Sequence, residues 1–176
     1  RAAGVTVVYH SLRLGEGCTT CFKVEDRLAT LAAVRDSDIN LAHLVEPVGP
    51  EHSSEEIADV LLTALTHKAA LCGVMARVNV RGTPCGDSAT AEADPLRLAQ
   101  IAAVTRLVGG VQTPDICVHP PTPQALAWGA NVLVVETGAV PRADTESAEE
   151  WRQFTVQDAL SLLLEAGYSL ENSPVC

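Results

Sequence analysis

Short apolar runs alternate with amphipathic helical periods along the whole chain, and that alternation leaves few folds open. Strand-like runs read at Val5–His10, Asn40–Val45, Val74–Val78, Asp115–His119 and Val132–Glu136. Helical spacing reads at Val24–Arg35, Ser53–Leu71, Pro95–Val108, Thr122–Trp128 and Thr155–Ala166. Ser53-Ser-Glu-Glu56 opens its helix with a capping-box pattern, and Pro95 after Asp94 suits a first helical position. Strands that are almost continuously apolar, each followed by a helix, predict a parallel sheet buried under helices. The expected fold class is α/β: a parallel (βα) half-barrel or partial TIM barrel, with about five strands where a closed barrel has eight. One domain, residues 1–176, accommodates the pattern.

Charge and composition narrow the partners. The net charge is −10, from 22 acidic side chains against 12 Lys and Arg, and it repels phosphate backbones and anionic lipid surfaces. No nucleic-acid partner is expected. No apolar run reaches the roughly 20 residues that span a bilayer, so no membrane partner is expected either. Six cysteines at irregular spacing do not read as a disulfide framework and point to a reducing, cytoplasmic compartment. Cys18-Thr-Thr-Cys21 lacks the second pair that a structural metal site needs, and reads as incidental. The chain opens Arg1-Ala-Ala-Gly-Val without an initiator Met, as a fragment would.

In a (βα) barrel the chemistry sits at the C-terminal ends of the strands. His10, Glu46, Arg77, Cys117, His119 and Glu136 fall at or near those ends, and period two puts Cys117 and His119 on one face. Arg77, inside Val74-Met-Ala-Arg77-Val, needs a partner if buried, such as an ion pair with Glu46 or Glu136. His119 suits substrate binding, or a backbone carbonyl that satisfies it. Arg27 reads either as a carboxylate fork or as a surface arginine paired with Asp26 or Glu25.

Five motifs in order carry a resemblance. They are Arg27-Leu-Ala-Thr-Leu31, Leu44-Val-Glu-Pro-Val-Gly49-Pro-Glu-His52, Arg81-Gly-Thr-Pro-Cys-Gly86, Pro95-Leu-Arg-Leu-Ala-Gln100 and Gly129-Ala-Asn-Val132. Together they resemble strands four to eight of a biotin-synthase-type radical SAM enzyme. Tyr9-His-Ser-Leu-Arg-Leu-Gly-Glu-Gly17 and Glu46-Pro-Val-Gly-Pro-Glu-His52 look closer to the branch with the iron-only hydrogenase cofactor maturase and methylornithine synthase. The resemblance implies S-adenosylmethionine as cofactor. Arg27 would hold its methionyl carboxylate, Val45, Glu46 and Gly49 would cover adenine, and His10 would lie beside them. Arg77, Cys117, His119 and Glu136 would face a small organic substrate, handled by 5′-deoxyadenosyl radical chemistry in cofactor or amino-acid biosynthesis.

The family's cysteine triplet, which binds a 4Fe-4S cluster from one loop, has no counterpart among Cys18, Cys21, Cys72, Cys85, Cys117 and Cys176. The cluster is therefore expected in the full-length protein with ligands outside this chain, and the isolated chain is expected to be inactive. Two other readings stand beside this one. A metal-dependent barrel hydrolase would use His10, His43, His119, Glu46 and Glu136 as ligands, although no His-x-His pair supports it. A non-catalytic half-barrel would bind a ligand or partner, its open sheet edge covered by self-association or by a missing N-terminal segment.

Overall fold

A computed structural model describes residues 2–78, 93–135 and 154–169. Among the described residues, six strand segments alternate with five α-helices. In order these are β1 (Val7–Tyr9), α1 (Val24–Arg35), β2 (Asn40–Ala42), β3 (Val45–Val48), α2 (Ser54–Thr66), β4 (Leu71–Ala76), α3 (Pro95–Gly109), β5 (Asp115–His119), α4 (Pro123–Ala127), β6 (Val132–Leu133) and α5 (Val156–Glu165). A 3₁₀ turn at Gly110–Gln112 follows α3.

Every strand pair is parallel, and the strands lie in sequence order across the sheet, β1-β2-β4-β5-β6, with β3 also on β4. β2 and β3 share one strand position. Ala42 aligns with Leu71 and Val45 with Val74, so the register carries straight across the break at His43-Leu44. It then shifts by one residue before Val48 meets Ala76. A bulge of this kind re-aims the side chains around it, and Glu46 lies inside the shifted stretch.

Sequential order has a topological consequence. Right-handed crossovers between neighbouring parallel strands all deliver their helices to the same face. The core has that form. Leu31, Ile57, Val60, Leu61, Leu98, Ile101 and Leu126 from the helices join Leu41, Val45, Cys72, Val74, Ile116 and Val118 from the strands in one cluster. The alternate strand residues Ala42, Glu46, Cys117 and His119 are buried but lie outside it, as the two-residue strand period requires. Helices on one face of a sequentially ordered parallel sheet make an arc of a (βα) barrel, and the expected fold class holds. A doubly wound sheet would reverse its order part-way.

Local signals place most helix starts. Ser53 and Glu56 form a reciprocal capping box on α2, and Thr155 and Asp158 form another on α5. Asp94 accepts from the Leu96 N–H at 2.9 Å, with Pro95 at the first position of α3. At the N-terminal ends of β5 and β6, Arg106 binds the carbonyls of Gly129 and Pro114 and the Asn131 side chain, each at 2.9 Å. This clamp lies at the opposite end of the strands from the mouth, where barrel residues serve stability.

The end of α2 differs from expectation. The helix stops at Thr66 rather than Leu71, and β4 begins at Leu71 rather than Val74. Lys68 adopts φ 58°, its N–H donates to Leu65 O at 3.0 Å, and the Ala69 N–H donates to Ala64 O at 3.1 Å. This is a Schellman-type stop with a lysine where glycine is usual, so no sequence signal marked it. Lys68→Gly relieves the left-handed conformation and should raise stability by about 1 kcal/mol, or a Tm gain of about 2–4 °C. Thermal unfolding of both forms checks it; an unchanged or lower Tm would contradict the strain.

Candidate active site at the strand mouth

Three polar groups assemble at the C-terminal ends of the strands. The first centres on Glu46, which is 2% exposed. Its Oε2 accepts from the Tyr9 hydroxyl at 2.5 Å, and its Oε1 accepts from Arg13 Nε at 3.3 Å. Burial raises the Tyr9 hydroxyl above its ordinary pKa, and the Glu46 carboxylate adds to the rise. Cys117 on β5 faces the same carboxylate. Burial, reinforced by Glu46, pushes its thiol up to about 12, so it stays an S–H group at neutral pH. His119, two residues on and also buried, extends this face to the end of β5.

The loop leaving β1 is stitched to the β2–β3 break. The His10 N–H donates to Ala42 O at 3.0 Å and the Leu14 N–H to Glu46 O at 2.7 Å. The Leu44 N–H donates to Ser11 Oγ at 3.0 Å, and the Leu12 N–H donates to His43 Nε2 at 3.1 Å. An Nε2 that accepts leaves the proton of a neutral imidazole on Nδ1. Burial, with His67 and His10 nearby, lowers the His43 pKa to about 4, in keeping with that neutral form.

The second group joins this loop to α1. Arg27 Nε donates to Glu16 Oε2 at 2.9 Å, the Thr20 hydroxyl donates to Glu16 Oε1, and the guanidinium lies 4.7 Å from the centre of the Phe22 ring. The Glu16 side chain is 1% exposed and that of Arg27 is 22% exposed. His10 lies in the field of both. Burial lowers its pKa, and the Arg27 cation lowers it further. Its Nε2 is buried and has no hydrogen-bond partner among the described residues. Among the described residues only Nε of Arg27 donates a hydrogen bond, which leaves the two Nη groups for an incoming acceptor.

The third group follows β3. Arg77 pairs with Glu51 through Nη1 and Oε1, and its N–H donates to Val48 O at 2.7 Å. The Gly49 N–H donates to His52 Nδ1 at 2.9 Å. A Cβ on Gly49 would come within 2.8 Å of Arg77 Nη1 and 2.4 Å of Glu51 Oε2, so glycine lets this ion pair fold over the loop.

The expected site residues thus fall into separate places. His10 and Arg27 come together, Glu46 gathers with Cys117, and Gly49 with Arg77. Val45 does not face the mouth. It is 1% exposed and packs with the helices, because period two turns it away when Glu46 turns inward. Arg77 has an ion-pair partner, but it is Glu51 rather than Glu46, and Arg27 pairs with Glu16 rather than Asp26 or Glu25. Glu136 lies outside the described residues. Tyr9, Arg13 and Glu16 are the mouth residues that sequence reasoning passed over. Among the described residues no group of three or more His, Cys, Asp or Glu could hold a metal ion, and Glu136, a ligand in the hydrolase reading, lies outside them. No described helix is long and apolar enough to cross a membrane.

No protein-family model matches the chain, and no curated protein matches it.

Proposed function

We propose that this chain is the SAM- and substrate-holding arc of a radical S-adenosylmethionine enzyme of the biotin synthase-like group, acting on a small organic substrate in the cytoplasm. The observation that supports this most is the Arg27–Glu16–His10 group, which stands at the mouth of a sequentially ordered parallel arc. An amino-acid headgroup needs a forked cation for its carboxylate and an acceptor for its ammonium. Arg27 offers its Nη groups, Glu16 is the carboxylate beside it, and His10 Nε2 is a buried polar atom in the same group.

When bound and reduced, S-adenosylmethionine supplies hydrogen-atom abstraction. The described residues carry no three-thiolate set for a 4Fe-4S cluster. The chain's own contributions are positioning and shielding. Arg27 orients the cofactor's carboxylate, and Glu46, held by Tyr9 and Arg13, presents a fixed acceptor to a substrate hydroxyl or ammonium. Cys117 and His119 close the inner wall. Among the described residues the β1 edge of the arc is unpaired, where Val7 is 47% exposed, and further strands or a second chain would complete the enclosure.

Anaerobic titration with S-adenosylmethionine tests the reading. Removing Arg27 alone would strand the buried Glu16 charge, so the variant to use is Arg27→Ala with Glu16→Gln. Loss of a charge-assisted fork should weaken binding about 10- to 100-fold. Equal affinity in the wild type and the double variant would end this assignment.

A further inference from the structure

Four cysteines lie among the described residues, all as free thiols, and they divide by environment. Cys72 and Cys117 sit on strands, where burial pushes their thiols up to about 11 and about 12. They stay protonated and out of reach of solutes. Cys18 and Cys21 are both exposed, in the loop between β1 and α1.

That loop doubles back on itself. Gly15 and Gly17 take φ of +74° and +77°, and the Cys18 and Thr19 N–H groups both donate to Gly15 O, at 3.0 and 2.8 Å. A Cβ built on Gly17 would lie 3.8 Å from the Phe22 carbonyl oxygen and 3.4 Å from Val24 Cγ2. Gly17 and Phe22 are therefore neighbours in space, and Cys18 and Cys21 are the next residues inside them. They flank Thr19-Thr20 within the stretch that those two neighbours bracket. A disulfide needs its two Cα atoms about 4.4–6.8 Å apart, and two cysteines three residues apart in a chain that doubles back can come within that range. Thr20 is anchored to the same loop, since its Oγ1 accepts from the Gly17 N–H at 3.4 Å and donates to the buried Glu16.

We propose that Cys18 and Cys21 form a thiol–disulfide exchange site open to small disulfides of the glutathione class. In the first step one cysteine thiolate attacks a sulfur of the small disulfide. Its S–S bond breaks, a mixed disulfide forms, and the first small thiol leaves with a proton. The second cysteine thiolate then attacks the protein sulfur of that mixed disulfide, closing Cys18–Cys21 and releasing the second small thiol with its proton. Two electrons pass from the cysteine pair to the small disulfide, which is reduced to two thiols. Glu16 and Thr20 belong to the same turn and Glu16 holds Arg27, so ring closure acts on the support of the Arg27 guanidinium. The exchange itself is independent of any ligand at the mouth.

The test treats the native chain with oxidised glutathione, quenches by alkylation, counts thiols and maps peptides. With Cys85 and Cys176 replaced by serine, the thiol titre should fall by two, with Cys18 linked to Cys21 in the same chain and full reversal by dithiothreitol. Cys18→Ser should instead retain one glutathione on Cys21. The proposal is overturned if both thiols stay alkylatable, if each keeps its own glutathione, or if the link runs to another cysteine or a second chain.

Discussion

Alanine at position 73 should remove much of the stability of the folded arc. Gly73 sits inside β4 at φ +140°, and a Cβ there would lie 1.9 Å from the Cys117 carbonyl oxygen and 2.6 Å from the Cys117 nitrogen. Those are backbone atoms of β5, the strand that β4 pairs with over five residues, and they have no room to withdraw. The overlap and the forbidden φ together should cost more than about 4 kcal/mol, against a total stability of about 5–15 kcal/mol for a domain of this kind. Gly110→Ala is the matched control. It too has a positive φ, 52°, but nothing within 4 Å of the added carbon. It should lose only about 1 kcal/mol. Urea unfolding of the two variants separates steric exclusion from backbone preference. Similar midpoints would show that β4 and β5 do not approach as closely as described.

The fold should also be acid-sensitive in a window set by one histidine. His43 is fully buried, its Nε2 accepts from the Leu12 N–H, and its folded pKa is about 4 against 6.5 for the free side chain. A pKa depressed on folding means that the unfolded chain binds the proton first as pH falls. Stability is then fully present above pH 6.5, declines as pH drops below it, and is lost through pH 4. The whole effect is on the order of 3 kcal/mol, with a slope approaching about 1.4 kcal/mol per pH unit inside the window. His10, lowered in the same direction, adds to the trend. The carboxylates held below their ordinary range, such as Glu51 and Glu56, act only at lower pH. Denaturant unfolding between pH 7 and pH 4.5 should show the decline, and His43→Gln, whose side-chain oxygen can still accept from Leu12, should flatten it. A profile as steep in the variant as in the wild type would remove His43 as its source.

Both results turn on contacts between segments distant in sequence, and the same division runs through the whole molecule. α1 over Val24–Arg35 and β5 over Asp115–His119 were legible to the residue, because hydrophobic period and end signals are carried by the segments themselves. So was the parallel class, since buried strands between helices admit little else. The stop at Lys68 was not legible, because a lysine in a left-handed conformation is held there by α2 and β4 and advertises nothing locally. The break at His43-Leu44 was hidden inside one apolar run, and shows only where the β1 exit loop binds it.

The mouth divides the same way. Sequence alone put Glu46, Cys117 and His119 at or near strand ends, with Cys117 and His119 on one face, because strand polarity and period decide that. It did not pair Tyr9 with Glu46, Arg27 with Glu16 or Arg77 with Glu51, which are 37, 11 and 26 residues apart. It also did not turn Val45 toward the helices. Periodicity is a property of neighbours along the chain and survives reading one residue at a time. Which charge meets which depends on register, on a single bulge in β3 and on how the loops cross the strand ends. Those are settled only when the strands lie side by side.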